Sequence, residues 1–230
     1  MISIIIPILN EAETIEELLF HLIDHSTLQH ISEIIVVDGG STDGSQEIIK
    51  NLDLKIKLLS APKGRAKQMN TGAKASRGDI LYFLHADSFP PLHFDQLIIS
   101  EVKKGNNAGC FRMKFDSSHW WLQLASWLTQ FSWRACRGGD QSQFITRALF
   151  DEIEGYDERY VIYEDNILIN ELYTRKEFVV INKQIKTSAR LYRKHGVWTL
   201  QYHFWTIYVK KWFGASADEL LAYYKKYIAS

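Results

Sequence analysis

The chain opens on Ile2–Ile6, a continuous apolar run of the kind buried on both faces of a sheet. Thr14-Ile15-Glu16-Glu17 has the form of a capping box, and Leu18, Leu19, Leu22 and Ile23 follow it at helical spacing. A second β-branched run, Ile31–Val37, ends in Asp38-Gly39-Gly40-Ser41-Thr42-Asp43-Gly44. A helix to about Leu52 is expected next, capped by Ser41 or Thr42, then a strand near Lys55–Leu59 and a helix from Gly64 to Ala75. Ile80–Leu84 is a third buried strand, closed by His85-Ala86-Asp87. Strands alternating with helices predict an α/β fold, a doubly wound and mostly parallel sheet flanked by helices.

The second half is patterned differently. It predicts a strand over Ala108–Phe115, an uncharged helix over Trp120–Trp133 and a short strand at Gln143–Thr146. A helix from Asp165 to about Arg175 and a strand at Phe178–Ile181 follow. C-terminal amphipathic helices close the chain: Val197–Phe213, then one opened by a second capping box, Ser216-Ala217-Asp218-Glu219. Trp198, Trp205 and Trp212 recur every seven residues and share one helix face, widened by Tyr202, Tyr208 and Val209. Two readings stand side by side: core packing against the sheet, or an interfacial helix, since Trp and Tyr favour the headgroup region of a membrane. Trp120, Trp121, Trp127 and Trp133 allow the same two, and stacking on a sugar ring is a third.

The 230 residues, 46% hydrophobic and 23% charged, suit one soluble domain with a sizeable core. Within it, residues 1–115, 116–195 and 196–230 divide by pattern, and all seven Trp lie at or after Trp120. Lys+Arg and Asp+Glu both total 27, so no nucleic-acid partner is expected, because such binding rests on neutralising many phosphates. Cys110 and Cys136 are expected to be free thiols in a reducing compartment. The first residues lack the signal-peptide pattern, and no apolar run reaches the roughly 18–20 residues that span a bilayer. The expected location is cytoplasmic, with peripheral contact at the inner membrane face.

Ligands of doubly wound sheets bind at the carboxyl ends of the strands. The turns Pro7–Glu11, Asp38–Asp43 and His85–Asp87 should therefore converge on one cleft. Asp87 suits a hard divalent cation, or the cap of a helix starting near Pro90-Pro91. Asp38 suits a base N–H or ribose hydroxyl, or a plain Asp-Gly turn. Lys63, Arg65 and Lys67 crowd a helix N-terminus against its macrodipole, which an anion such as a diphosphate would explain as well as a solvated turn does. Glu164-Asp165 suits a general base or an acidic first helical turn.

The turns together are more specific than any one. Ile5-Ile6-Pro7-Ile8-Leu9-Asn10-Glu11, Val36-Val37-Asp38-Gly39-Gly40-Ser41-Thr42-Asp43-Gly44, Gly64-Arg65-Ala66-x-Gln68-x-Asn70-x-Gly72, Gly78-Asp79-x-Leu81-x-Phe83-Leu84-His85-Ala86-Asp87 and Glu164-Asp165 occur in order. This arrangement resembles the family 2 glycosyltransferases, with their GT-A fold, over roughly residues 1–175. The resemblance implies that Pro7, Glu11 and Asp38 hold the nucleoside, usually uridine, and that Arg65 and Asn70 line the nucleotide-sugar cleft. It implies that Asp87, the last carboxylate of the Asp-x-Asp motif, contacts Mg²⁺ or Mn²⁺, with His195 as a late-histidine metal ligand. Asp165 matches the general base of inverting members.

Three departures accompany the match. The Asp-x-Asp motif reads His85-Ala86-Asp87, the common Asp-Asp-Gly-Ser reads Asp38-Gly39-Gly40-Ser41, and the Gln-x-x-Arg-Trp motif of processive members is absent, Arg190-Leu191-Tyr192-Arg193 lying in about its region. With Gly139-Asp140-Gln141, this looks like a compact subgroup. The resemblance implies inverting transfer of one sugar from a nucleotide diphosphate sugar, a UDP-sugar first, to an acceptor hydroxyl on a glycan, lipid-linked or small molecule. Homodimer formation and membrane-surface contact stay open. Nucleotidyl transfer is a second reading, though Pro7–Glu11 lacks the Gly-rich basic loop it prefers. A nucleotide- or sugar-binding module with decayed catalysis is a third, favoured by the carboxylate missing at His85.

Overall fold

The computed structural model describes residues 1–229. The elements in chain order are β1 (Ile2–Ile8), α1 (Ile15–Asp24), β2 (Ile31–Asp38), α2 (Ser45–Asn51), β3 (Ile56–Ser60), α3 (Arg65–Ala75), β4 (Ile80–Phe83), β5 (Ser88–Phe89) and α4 (Phe94–Lys103). They continue with β6 (Ala108–Phe115), α5 (Trp120–Leu128), β7 (Gln143–Thr146), α6 (Arg147–Glu152), α7 (Glu164–Thr174), β8 (Phe178–Thr187), α8 (Arg190–His195), α9 (Val197–Trp212) and α10 (Ala217–Tyr227).

All strands join one sheet of order β3-β2-β1-β4-β7-β6-β8-β5. The first four are parallel, with Ile4 opposite both Ile34 and Tyr82, and Val36 opposite Leu58. β7 runs antiparallel to β4 and β6, β8 runs parallel to β6, and β5 antiparallel to β8. The parallel half brings the carboxyl ends of β1, β2 and β4 to one edge, and the chain's acidic turns follow from there.

The continuous apolar run of β1 is explained by two cores. Ile2, Ile4, Ile6 and Ile8 pack with Leu18, Leu19 and Leu22 of α1 and Phe94 of α4. Ile5, on the opposite face, packs with Ala66, Met69 and Ala73 of α3 and with Leu168 and Leu172 of α7. Period-two alternation sends successive side chains to opposite faces, so both faces are buried; the one polar side chain, Ser3, is satisfied by donating to Glu33 and accepting from Gly78 N. Gly72 sits where α3 crosses β1: a Cβ there would collide with the Ile5 side chain, so the close approach requires glycine.

Several boundaries differ from the sequence expectation. Thr14 precedes α1, but its hydroxyl donates toward Glu11 rather than accepting from the helix, so this capping box does not form. At Ser216 it does: the hydroxyl accepts from Glu219 N and the Glu219 carboxylate accepts from Ser216 N at 2.7 Å. Neither Ser41 nor Thr42 caps α2, whose N-cap is Gly44. Asp87 caps no helix, because β5 intervenes and α4 starts after His93. β8 extends to Thr187, beyond the expected Ile181, because its far end pairs with Phe115 and Ser88.

The core reading of the tryptophan stripe is overturned. α9 buries Leu200 and Ile207, while Trp198, Trp205 and Trp212 are 50%, 48% and 85% exposed. The seven-residue repeat marks the outer face of that helix, not the inner one.

Candidate active site

The turns after β1 and β2 are stitched together by their own polar groups. Asn10 N donates to Ser41 Oγ at 2.8 Å, Thr42 N donates to Asn10 Oδ1 at 2.8 Å, and Ala12 N donates to Asp43 Oδ2 at 2.9 Å. Gln68, buried on α3, donates to the carbonyls of Ile8 and Val37 at 2.8 Å each and so ties the ends of both strands to the helix. Pro7 is buried near the carboxyl end of β1.

Asp38 is spent within its turn. Its carboxylate accepts from Gly40 N, from Ser41 N and Oγ, and from Gln46 Nε2 at 2.6 Å. Burial would raise its pKa, but the Ser41, Gln46 and main-chain donors outweigh this and hold it below the ordinary carboxylate value. Glu11 faces the other way and pairs with Arg190 of α8, Nη2 to Oε2 at 3.1 Å. Burial raises the Glu11 pKa despite Arg190.

The centre of the site is a set of alternating charges. His85 Nδ1 lies 3.5 Å from Asp140 Oδ1, and its Nε2 lies 3.9 Å from Asp165 Oδ2. Arg65, first residue of α3, places Nη1 3.6 Å from Glu164 Oε1 and 3.9 Å from Asp165 Oδ2. Burial alone would lower the His85 pKa, yet its bond to Asp140 and the nearby Asp165 hold it above its ordinary value. Burial would lower that of Arg65 as well, and Glu164, Asp165 and Asp140 raise it. Glu164 is pushed up to about 7 by burial and by Asp165, against the pull of Arg65. Its Oε1 is buried without a hydrogen-bond donor.

Local backbone aims these groups. Tyr163, just before Glu164, has φ of 70°, a left-handed conformation unusual for an aromatic residue. It turns the chain so that both acids enter the first turn of α7, where free N–H groups favour negative charge. Gly139 lets the loop carrying Asp140 pass close to α7: a Cβ there would collide with the Asp165 carboxylate and come within 2.9 Å of the His85 ring. Buried Arg137 anchors that loop by donating to the carbonyls of Thr129 and Phe131 and to Gln141 Oε1.

Asp87 completes the group. It lies in the field of Asp140, His85, Arg190 and Arg65, and burial with the Asp140 carboxylate raises its pKa. Among the described residues, no three or more His, Cys, Asp or Glu side chains are placed to hold a metal ion by themselves. The set present fits a shared cation instead. Mg²⁺ is usually held through one or two carboxylates plus substrate phosphates; Asp87 would supply one hard oxygen donor, while the nearby Asp140 is engaged by His85. His195 lies at the far end of α8 from Arg190, with Nε2 buried and unpartnered, and neither hydrogen bond nor ion pair joins it to Asp87.

The structure therefore brings together Glu11, Arg65, Asp87 and Asp165 of the expected residues. Asn70 also ties the scaffold. Its amide is committed to Tyr156 O, Tyr156 N and Glu158 Oε1 at 2.9 to 3.0 Å, which pins the 156–158 turn to α3. Residues not assigned a site role from sequence are Arg190, Asp140 and Gln68. Arg190 meets Glu11 across 179 positions, a pairing without a local signal. The Gly139-Asp140-Gln141 string is the visible sign of Asp140.

The model of "Glycosyl transferase family 2" matches residues 3–164. The chain belongs to this family. Among curated relatives, it is 36% identical over 94 residues to glycosyltransferase AglE of Haloferax volcanii, covering 39% of this chain and 31% of that protein. It is 32% identical over 110 residues to a dolichol-phosphate mannosyltransferase of Pyrococcus furiosus, covering 46% and 31%. The match thus spans about a third of the length of these relatives. Two solved structures share the fold: S. aureus TarS 1–349 in complex with UDP, at TM-score 0.67, 18% identity and 82% and 60% coverage, and mannosyltransferase PcManGT from Pyrobaculum calidifontis in complex with GDP-Man and Mn²⁺, at TM-score 0.68, 18% identity and 100% and 64% coverage. The mixed α/β sheet is thereby the GT-A fold of this glycosyltransferase family.

Proposed function

We propose that this chain transfers one sugar, with inversion, from a nucleotide diphosphate sugar to an acceptor hydroxyl. The observation that carries the reading is the convergence of Arg65, Asp87 and Glu164-Asp165 at the strand ends, with His85 between Asp140 and Asp165. Asp165 takes the proton from the acceptor hydroxyl as that oxygen attacks the anomeric carbon from the face opposite the diphosphate. The transition state is oxocarbenium-like, as in glycoside hydrolysis. Arg65, 3.9 Å from the base, offers its half-exposed guanidinium to the diphosphate. A Mg²⁺ or Mn²⁺ held by Asp87 together with the donor phosphates would neutralise the charge that builds on the departing diphosphate. His85 and Asp140 define a compact subgroup, in which an ion pair occupies the place of the first Asp of the motif.

Residues 1–115 form the donor half, 116–195 the acceptor and base half, and 196–230 the C-terminal helices. UDP is the first nucleotide to test, because the Pro7, Glu11 and Asp38 segments match uridine-binding ones, and TarS is named with UDP. The name of the P. furiosus relative supports a lipid-linked acceptor, presented here at the inner face of a membrane.

The test is Asp165→Asn. Transfer should fall by about 10²- to 10⁴-fold, the usual contribution of a positioned general base, with nucleotide affinity nearly intact. Wild-type turnover in that variant would remove Asp165 from the role. A screen of UDP- and GDP-sugars for donor hydrolysis runs beside it; tight nucleotide binding with no hydrolysis of any donor would favour a binding module.

A further inference from the structure

We propose that the aromatic surface built by α5, α9 and the turn to α10 docks on an anionic lipid bilayer, with both helices lying in the headgroup plane. This deepens the lipid-linked acceptor reading and takes its functional sense from it. With Trp198 as zero and about 100° per residue, Trp205 and Trp212 lie within about 40°, and Tyr202, Val209 and Phe213 within about 60°. Leu200 and Ile207, the buried pair of α9, lie opposite. The helix is thus anchored on one face and exposes a ring-lined stripe on the other. It ends in Trp212 and Phe213, 85% and 82% exposed.

α5 repeats the design: Trp120, Leu124 and Trp127 are exposed at the same spacing, and Leu122 is buried behind them. The two stripes are continuous. Trp120 and Trp198 rings are 5.8 Å apart, and Trp121 bridges Trp198 at 5.3 Å and Trp205 at 5.8 Å. A contiguous apolar patch of this kind marks an interaction site on a soluble fold. No helix among the described residues is long and apolar enough to cross a membrane, so the geometry is that of a surface-lying element.

Charge selects the occupant. From residue 194 onward the chain carries Lys194, Lys210, Lys211, Lys225 and Lys226 against Asp218 and Glu219 only, in a chain of zero net charge. Lys210 and Lys226 lie over the rings of Tyr223 and Tyr227, at the border of the aromatic surface, whereas Lys211 turns to the inner face and donates to the Tyr160 hydroxyl at 2.6 Å. The Glu219 carboxylate is taken by its cap. An open groove of about 700 Å³ between α9 and α10 sets Lys210 and Lys226 beside Phe213, Tyr223 and Tyr227. Aromatics beside unpaired lysines match the interface of anionic lipids. A second copy on the same surface would instead bring its own lysines against these.

The surface adjoins the active site. Tyr208, on the flank of the stripe, donates to Asn166 Oδ1 at 3.3 Å, one residue from Asp165. An acceptor presented by the bilayer enters beside the base.

The experiment is flotation of the full chain with phosphatidylcholine vesicles, with and without phosphatidylglycerol, read together with quenching of tryptophan emission by brominated acyl chains. The wild type should float with the anionic vesicles, be quenched, and release at high salt. Trp212→Ser with Phe213→Ser should weaken binding by about tenfold or more. Lys225→Glu with Lys226→Glu should weaken it at low salt at unchanged melting temperature. The proposal is overturned if the wild type stays in solution with anionic vesicles at low salt, or if the Trp212/Phe213 variant floats as well as the wild type. It is equally overturned if sedimentation shows a dimer that this variant dissociates. Donor hydrolysis without vesicles is read separately. Flotation without any hydrolysis sinks the transfer reading and leaves the docking surface standing.

Discussion

Glu164→Gln tests the electrostatics of the site through stability. The carboxyl is 2% exposed, its Oε1 lacks a donor, and the nearest cation, Arg65 Nη1, is 3.6 Å away. Burial and Asp165 push its pKa from 4.5 to about 7. Below pH 4.5 the carboxyl is protonated in folded and unfolded chains alike. Between 4.5 and about 7 the folded chain still holds a proton that the unfolded chain has released, so folding weakens as pH rises. Above that window the full penalty applies, roughly 3 kcal/mol for a shift of this size. A neutral glutamine carries no such penalty. Chemical denaturation from pH 4 to 8, without added metal, should show the wild type losing stability across the window and Glu164→Gln losing less by roughly that amount. The two proteins should differ least at the acid end. Parallel curves would show that the Glu164 charge is compensated when folded, and would refute the assignment of an uncompensated buried acid beside Asp165.

Asp87→Ala should abolish the dependence of UDP affinity on Mn²⁺; calorimetry with and without the metal checks it, and a retained metal effect would move the ion to other residues. Gly139→Ala should cut transfer by about a hundredfold, because the added methyl displaces Asp165 and His85; steady-state kinetics on a variant with a cooperative melt decides, and full activity would mean the loop yields freely. Asn70→Ala should destabilise the fold by about 1–3 kcal/mol, through the stranded Tyr156 groups, and leave nucleotide affinity unchanged; a large affinity loss at constant stability would restore Asn70 to the donor site.

The parallel half of the fold was legible because local pattern and tertiary demand agree there. Ile2–Ile8 is buried throughout and apolar but for Ser3, since one core takes its even residues and another takes Ile5. The acidic turns that end β1, β2 and β4 then fall on one edge by topology alone. The fold is shared with glycosyltransferases of known structure at 18% identity, so the pattern, not the particular residues, carries it. The Trp198–Trp212 repeat was visible but its direction was not. A seven-residue stripe states that one face is distinct and leaves open whether that face meets protein or solvent. Leu200 and Ile207, two apolar positions on the opposite side, decide it.

The site was legible residue by residue but not in its pairing. Asp38 and Asn70 stand in the motif as ligand contacts, and in the structure both also bond the scaffold, one in its own turn and one to the 156–158 turn. Motif membership records that a position matters and does not separate building a cleft from lining it. Arg65 shows the converse. A cation at a helix N-terminus opposes the macrodipole, and the sequence offers a diphosphate as the reason. In the folded chain Glu164 and Asp165 already meet that need. The two explanations are compatible only if Arg65 can share itself between the acids and an incoming phosphate. Its half-exposed side chain, set at ion-pair distances of 3.6 and 3.9 Å rather than in tight bidentate contact, is the geometry such sharing requires.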